Sequence, residues 1–190
     1  MVFNPDKHHR RSIRLKDFDY SQPGAYFITI CTYNRECLLG DVVNSDVLHS
    51  VVGQVAVAEW VRSAQIRREI VLDEFIVMPN HIHGVVMLSP PDAGATNPVP
   101  SAVGATGRSP LPKGPSPKSI GAFVAGYKSS VTKRINEIRN TPGAPVWQRN
   151  YYEHVIRNED ELNRKREYIR NNPSKWESDS ENPLNLKTKR

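Results

Sequence analysis

The sequence predicts an α+β protein, an antiparallel sheet with helices packed on it, from three observations. Four short runs are rich in β-branched and aromatic residues: 25–33 (AYFITICTY), 70–78 (IVLDEFIVM), 81–88 (HIHGVVML) and 144–158 (APVWQRNYYEHVIRN). Three longer stretches carry apolar residues at helical spacing. The second and third runs are separated by only Pro79 and Asn80, a turn short enough to require antiparallel neighbours.

The first strand follows the turn Ser21-Gln22-Pro23-Gly24. A first helix is expected over 44–69, where Val47, Val51, Val55, Ala58 and Val61 or Ala64 approach one stripe and Ser45 or Asp46 can cap it. The hairpin of the second and third strands comes next, its proline fixing φ and its asparagine tolerating left-handed backbone. A second helix over 118–140 has Ile120, Phe123, Val124, Tyr127, Val131 and Ile135 or Ile138 on one side. The fourth strand is built around Val146, Trp147, Tyr151, Tyr152, Val155 and Ile156, and the last helix starts near Asn158 or Glu159 and stops at Pro173. The order strand, helix, strand, strand, helix, strand, helix is the split β-α-β, ferredoxin-like pattern with one added C-terminal helix.

At 190 residues the chain suits a single domain with a sizeable core, placed at 21–176. It is preceded by a basic arm, 1–20, crowded with His8, His9, Arg10, Arg11, Arg14 and Lys16. A stretch at 89–117 holds eight of the fifteen prolines and almost no large apolar residue, so it is expected as a mobile loop interrupting the domain. Residues 177–190 are expected as a disordered tail. Lys and Arg outnumber Asp and Glu by 26 to 20, which favours a polyanionic partner. Cys31 and Cys37 have neither CxxC spacing nor a third partner, pointing away from a disulfide framework or a zinc site. With no apolar run of membrane-spanning length and no leader-like N-terminus, a cytoplasmic protein without a membrane partner is expected.

The run 76–88 (IVMPNHIHGVVML) holds the first chemical signal. Period-two alternation puts His81 and His83 on one strand face, with α-carbons about 6–7 Å apart, from where both imidazoles can lean onto one metal ion. The same pair could equally serve only hydrogen bonds to neighbouring polar groups. On the last helix, Leu162 and Ile169 fall on one side as core anchors, while Glu161, Lys165, Tyr168 and Asn172 fall together on another. A tyrosine in that polar stripe has its phenol available, and Asn172, one turn on, can present a carbonyl oxygen beside it. Equally, Tyr168 could be an ordinary surface tyrosine and Asn172 a helix terminator. Oxygen and imidazole ligands together suit Mg²⁺ or Mn²⁺.

The motifs MPNHIHGVV (78–86), WQRNYYEHVIRN (147–158) and REYIRNNPSKW (166–176), in that order, resemble those of the tyrosine-1 family of HUH single-strand DNA transposases, specifically the REP-associated tyrosine transposases. The similarity runs from about residue 24 to residue 176, apart from the proline-rich insertion. It implies that His81 and His83 are metal ligands with Asn172 as the third, that Tyr168 is the nucleophile on the C-terminal helix, and that the substrate is hairpin DNA with a flanking single strand. A monomer is favoured on the same ground, with a dimer possible.

A phenol is a weak nucleophile at neutral pH, and phosphodiester cleavage develops charge on the phosphate and leaving oxygens, so a metal beside Tyr168 suits a transesterification through a covalent 5′-phosphotyrosine. Arg10, Arg11, Arg14, Arg149, Arg157, Lys165 and Arg166 are the expected DNA-binding residues, by contact with phosphates. Tyr151, Tyr152 and Trp147 could stack unpaired bases, core packing being expected of at least one. Two other readings fit the same pattern: a non-catalytic single-stranded nucleic-acid binding module, and a metal-dependent hydrolase in which the histidines activate water and Tyr168 is dispensable.

Overall fold

The computed structural model describes residues 18–90 and 115–186. Most of the basic arm, with Arg10, Arg11 and Arg14, lies outside the described residues, as do positions 91–114 of the proline-rich stretch and positions 187–190.

Strand β1 (Gly24–Cys31) is followed by a small hairpin of β2 (Gly40–Val43) and β3 (Asp46–His49), then by helix α1 (Val51–Ile66). Strands β4 (Ile70–Val77) and β5 (His81–Leu88), helix α2 (Ile120–Arg139), strand β6 (Tyr152–Ile156) and helix α3 (Glu159–Arg170) complete the main elements. A 3₁₀ segment (Pro173–Ser178) and a short helix α4 (Pro183–Leu186) follow. The sheet order is β4-β5-β1-β6, with every neighbouring pair antiparallel. This is the α+β architecture expected, an antiparallel sheet with helices on it.

Alternation divides the sheet into two faces. Tyr26, Ile28 and Ile30 of β1 and Ile82, Val86 and Leu88 of β5 meet α1 and α2 in the main core, with Trp60, Phe123, Tyr127 and Val131. The other face supplies Phe27 and Val85 to a smaller cluster with Ile156, Leu162 and Ile169, which seats α3. Both histidines of β5 belong to this second face.

Helix α1 begins later than expected. Residues 46–49 are not helical but form β3, paired with β2 in register Val43↔Asp46. Asn44 and Ser45 take φ of 52° and 67°, the primed turn that matches the strand twist in a two-residue hairpin. Ser50 caps the helix instead, its hydroxyl accepting from Gly53 N at 3.1 Å. Of the stripe phased from Val47, Val55 is buried as expected but Val51, Ala58 and Val61 are exposed, and Val52, Ala56 and Trp60 complete the buried face instead. The expected fourth strand is also shorter, because Val146 and Trp147 lie before β6, where Trp147 joins the core and bridges Thr32 singly.

The expectation of a disordered tail from 177 is corrected for residues 177–186, which fold back over the sheet end. Asn182 caps the last turn by accepting from Leu184 N at 3.0 Å, and Asp179 and Asn182 are buried. None of the helices among the described residues is long and apolar enough to cross a membrane.

At Gly84 the Trp60 ring of α1 presses on β5. A Cβ there would overlap Cζ2 of the Trp60 ring, which is itself stacked on Phe75 with centroids 5.7 Å apart. Gly84→Val is therefore expected to lower stability by about 1–3 kcal/mol through overpacking, read as a drop in the urea midpoint.

Candidate active site

Register builds the site. Thr29 of β1 lies opposite His83 on one side and Tyr152 on the other, and Cys31 lies opposite His81. The two imidazoles are buried, with ring centroids 4.4 Å apart. His83 Nδ1 is 2.8 Å from the Thr29 hydroxyl.

The tautomer of His81 follows from Asn80, which does not adopt the left-handed backbone that its turn position suggests. Its amide nitrogen donates to two backbone carbonyls, Arg35 O at 3.1 Å and Glu181 O at 2.7 Å. Carbonyls only accept, so Asn80 Oδ1 is the atom that faces His81 Nδ1 at 2.8 Å. That oxygen also only accepts, hence Nδ1 carries the ring proton and Nε2 a free lone pair. His81 Nε2 is buried with no hydrogen-bond partner. Burial lowers the pKa of His81, against the opposing pull of Asp179, Glu181 and the Asn172 amide, and pushes that of His83 well below the ordinary value, His81 and Lys165 adding to it. Both rings are thus in the neutral form that ligates metals.

Helix α3 delivers the tyrosine. Asn158 caps it, accepting from Glu161 N at 2.8 Å, and Glu161 in turn holds His154 of β6 at 2.6 Å. Leu162 and Ile169 seat it on Phe27, Val85 and Ile156 as the wheel predicted. Arg166 grips Asp73 at the bulge of β4 through two parallel hydrogen bonds, 2.8 and 2.7 Å. Tyr168 then sits at the sheet, 40% exposed, with its hydroxyl 3.3 Å from His83 Nε2. Burial pushes its pKa up, Asp179 and Glu181 adding to the effect and the Asn172 amide opposing it.

Asn172, just past the end of α3, donates through Nδ2 to Asp179 Oδ2 at 2.9 Å, while its Oδ1 is buried without a partner. Asp179 completes a group with His81 and His83 whose ligand atoms lie within 4.8 Å of one another and could hold a metal ion. Two lone pairs buried without partners beside neutral imidazoles and a carboxylate fit a divalent cation by donor chemistry.

Four predicted residues, His81, His83, Tyr168 and Asn172, therefore come together at one end of the sheet. Lys165 joins them, its ammonium 4.5 Å from the centroid of the Phe27 ring. Arg149 and Arg157 are exposed, in the loop before β6 and at the β6–α3 junction. Arg166, expected on phosphate, is instead turned to Asp73 and anchors the helix. Asp179 and Glu181 were missed because they fall in the stretch read as a tail. The available signal was the acidic run 177–182 (ESDSEN) in a chain of net charge +6.

The site thus joins two histidines of β5, the tyrosine of α3 and a carboxylate of the segment that follows it on one face of an α+β fold. No protein-family model matches it. The chain is 40% identical over 177 residues to an uncharacterized protein of Haemophilus influenzae, covering 93% of this chain and 95% of that protein, and the two belong to one family. Among solved structures it shares its fold with a REP-associated tyrosine transposase bound to a REP hairpin. There the TM-score is 0.51 and the identity 17%, over 86% of this chain and 74% of the other.

Two outcomes are expected. Asn80→Ala, which frees the His81 ring, should weaken Mn²⁺ binding about 10- to 100-fold in calorimetric titration while the circular dichroism spectrum is kept. Asp73 is held below its ordinary pKa, chiefly by Arg166, so the stability from this pair is present above pH 3.8 and is lost as the pH falls through the lowered value. Arg166→Gln should accordingly lower the urea midpoint at neutral pH, a difference that shrinks toward zero in strong acid.

Proposed function

We propose that this protein is a metal-dependent single-stranded DNA transposase of the HUH type, cutting DNA near a hairpin through a covalent bond to Tyr168. One observation carries the reading: the Tyr168 hydroxyl lies against His83 Nε2 while the neighbouring His81 presents a buried, unpartnered Nε2. The motif resemblance and the fold shared with a hairpin-bound REP-associated transposase support it.

His81, His83 and an oxygen from Asp179 or Asn172 would hold Mg²⁺ or Mn²⁺. When bound, the ion would offset the carboxylates and polarise the scissile phosphate. That offset matters, because a phosphodiester brought beside Asp179 and Glu181 would otherwise be repelled. Thr29 and Asn80 keep the two imidazoles oriented, and the docking of α3 holds the phenolic oxygen in reach of the phosphorus. The phenol loses its proton and its oxygen forms a bond to phosphorus, the bond from phosphorus to the 3′ oxygen breaks, and that oxygen takes up a proton. No water or nucleotide is consumed, so the free 3′ hydroxyl can later reverse the reaction or join another strand.

Lys165, Arg149 and Arg157, with Arg10, Arg11 and Arg14 of the arm, are the proposed phosphate contacts. Histidines and tyrosine come from the same chain, so a monomer carries a full set. Cys31 and Cys37 are free thiols, which agrees with a cytoplasmic setting.

Purified protein mixed with labelled single-stranded DNA from the flanks of its own gene should give a protease-sensitive shifted band with Mg²⁺ or Mn²⁺ and none with EDTA. Tyr168→Phe should abolish the band while DNA binding persists. Metal-dependent cutting that survives Tyr168→Phe would identify a hydrolase, and binding without any adduct would identify a binding module.

A further inference from the structure

The site opens into a cleft of about 300 Å³ in which His83, Tyr168 and Glu181 share the lining with Phe27, Tyr152 and Lys165. Phe27 forms its floor, and Tyr152 and Tyr168 stand nearly edge-on to that floor, at 69° and 74° with centroids 6.4 and 6.0 Å away. Lys165 reaches over Phe27 from α3, and Ser180 also lines the cleft.

We propose that this cleft is a subsite for one unpaired nucleobase of single-stranded DNA, stacked on Tyr152, with Lys165 on the adjoining phosphate. The proposal rests on the nuclease reading above and adds a binding determinant to it.

Of the three aromatic residues in the segment 147–152, the structure separates their roles. Trp147 is buried in the main core and Tyr151 donates its hydroxyl to Glu153 at 2.7 Å. Tyr152 is left 40% exposed although it stands on a strand of the sheet. Its position is set by register: Thr29 pairs with both His83 and Tyr152, so Tyr152 stands two strand spacings, about 10 Å, from the histidine that meets the Tyr168 hydroxyl. A nucleotide whose phosphate lies at Tyr168 has its base, or that of its neighbour, within reach of Tyr152.

Lys165 is the cation that lines the cleft and Glu181 the carboxylate, so an anion is held on the Lys165 side, and a flat π system next to an anion is what a nucleotide presents. Stacking of this kind tolerates any base, so the subsite secures single-strandedness near the cut rather than sequence.

The test uses the full chain with Tyr168→Phe, so that binding is read without cleavage, and a short oligothymidylate carrying one 2-aminopurine as probe. The probe fluorescence should be quenched on binding, and equally so when Tyr152→Phe is added, since the π face is kept. Tyr152→Leu retains apolar cover over Phe27 but removes that face. It should abolish the quench and weaken binding about tenfold. Quenching and affinity unchanged in Tyr152→Leu would overturn the subsite, as would failure of the Tyr168→Phe protein to quench the probe at any position of the label. If the wild-type chain forms its adduct while Tyr152→Leu binds normally, the subsite falls and the nuclease reading stands. If stacking depends on Tyr152 but no adduct forms, the subsite stands as part of a binding module and the nuclease reading falls.

Discussion

The pairing of β5 with β1 is the constraint on which the remainder depends. It runs without a break from Gly24 opposite Leu88 to Cys31 opposite His81. Because side chains alternate with a period of two, a slip of one residue would send His81 and His83 into the core under α1 and bring Ile82 to the site. The register is fixed from the other side by Gly84, the one β5 position that faces Trp60 and has no side chain to obstruct it. Packing on the helical face thus determines which groups the opposite face offers for chemistry.

The chemical face is held together by smaller forces. Helix α3 buries little more than Leu162 and Ile169, each worth about 1.5–3 kcal/mol, and it depends on the Asp73–Arg166 pair and the His154–Glu161 contact for its orientation. Its weight in the site is out of proportion to that area, because Tyr168 adjoins Ile169 and moves with it. The segment after α3 contributes in the opposite sense: Asp179 and Glu181 bring negative charge to a site proposed to take an anionic phosphate. Neutral imidazoles, orphaned lone pairs and carboxylates together make a place where a cation is needed before an anion can enter.

Much of this was legible in the residues. Alternation in 81–88 placed both histidines on one face, and the wheel of 158–172 separated Leu162 and Ile169 from Tyr168, because each is a local consequence of backbone geometry. The start of α1 was not legible from periodicity, since Val47 fits a helical stripe as well as a strand and only the turn chemistry of Asn44-Ser45 distinguishes the two. Asp179 escaped because the acidic run 177–182, though visible, carries no sign of burial; its burial depends on Asn172 and on the fold-back of 177–186. The partner of Arg166 was hidden for a related reason: a basic residue near a tyrosine fits phosphate binding by composition, whereas Asp73, to which it is bound in the structure, is 93 residues away in sequence. Contacts of that range are visible only after the sheet is assembled.

The central claim is that β5 and α3 build one site where His81 and His83 share a cation next to Tyr168. Anomalous diffraction from crystals soaked in Mn²⁺ tests it most directly. The account predicts a single strong peak within coordination distance of His81 Nε2 and His83 Nε2, with an oxygen of Asp179 or Asn172 as a further ligand and the Tyr168 hydroxyl facing it. A strong peak at other carboxylates with none between the histidines would contradict it.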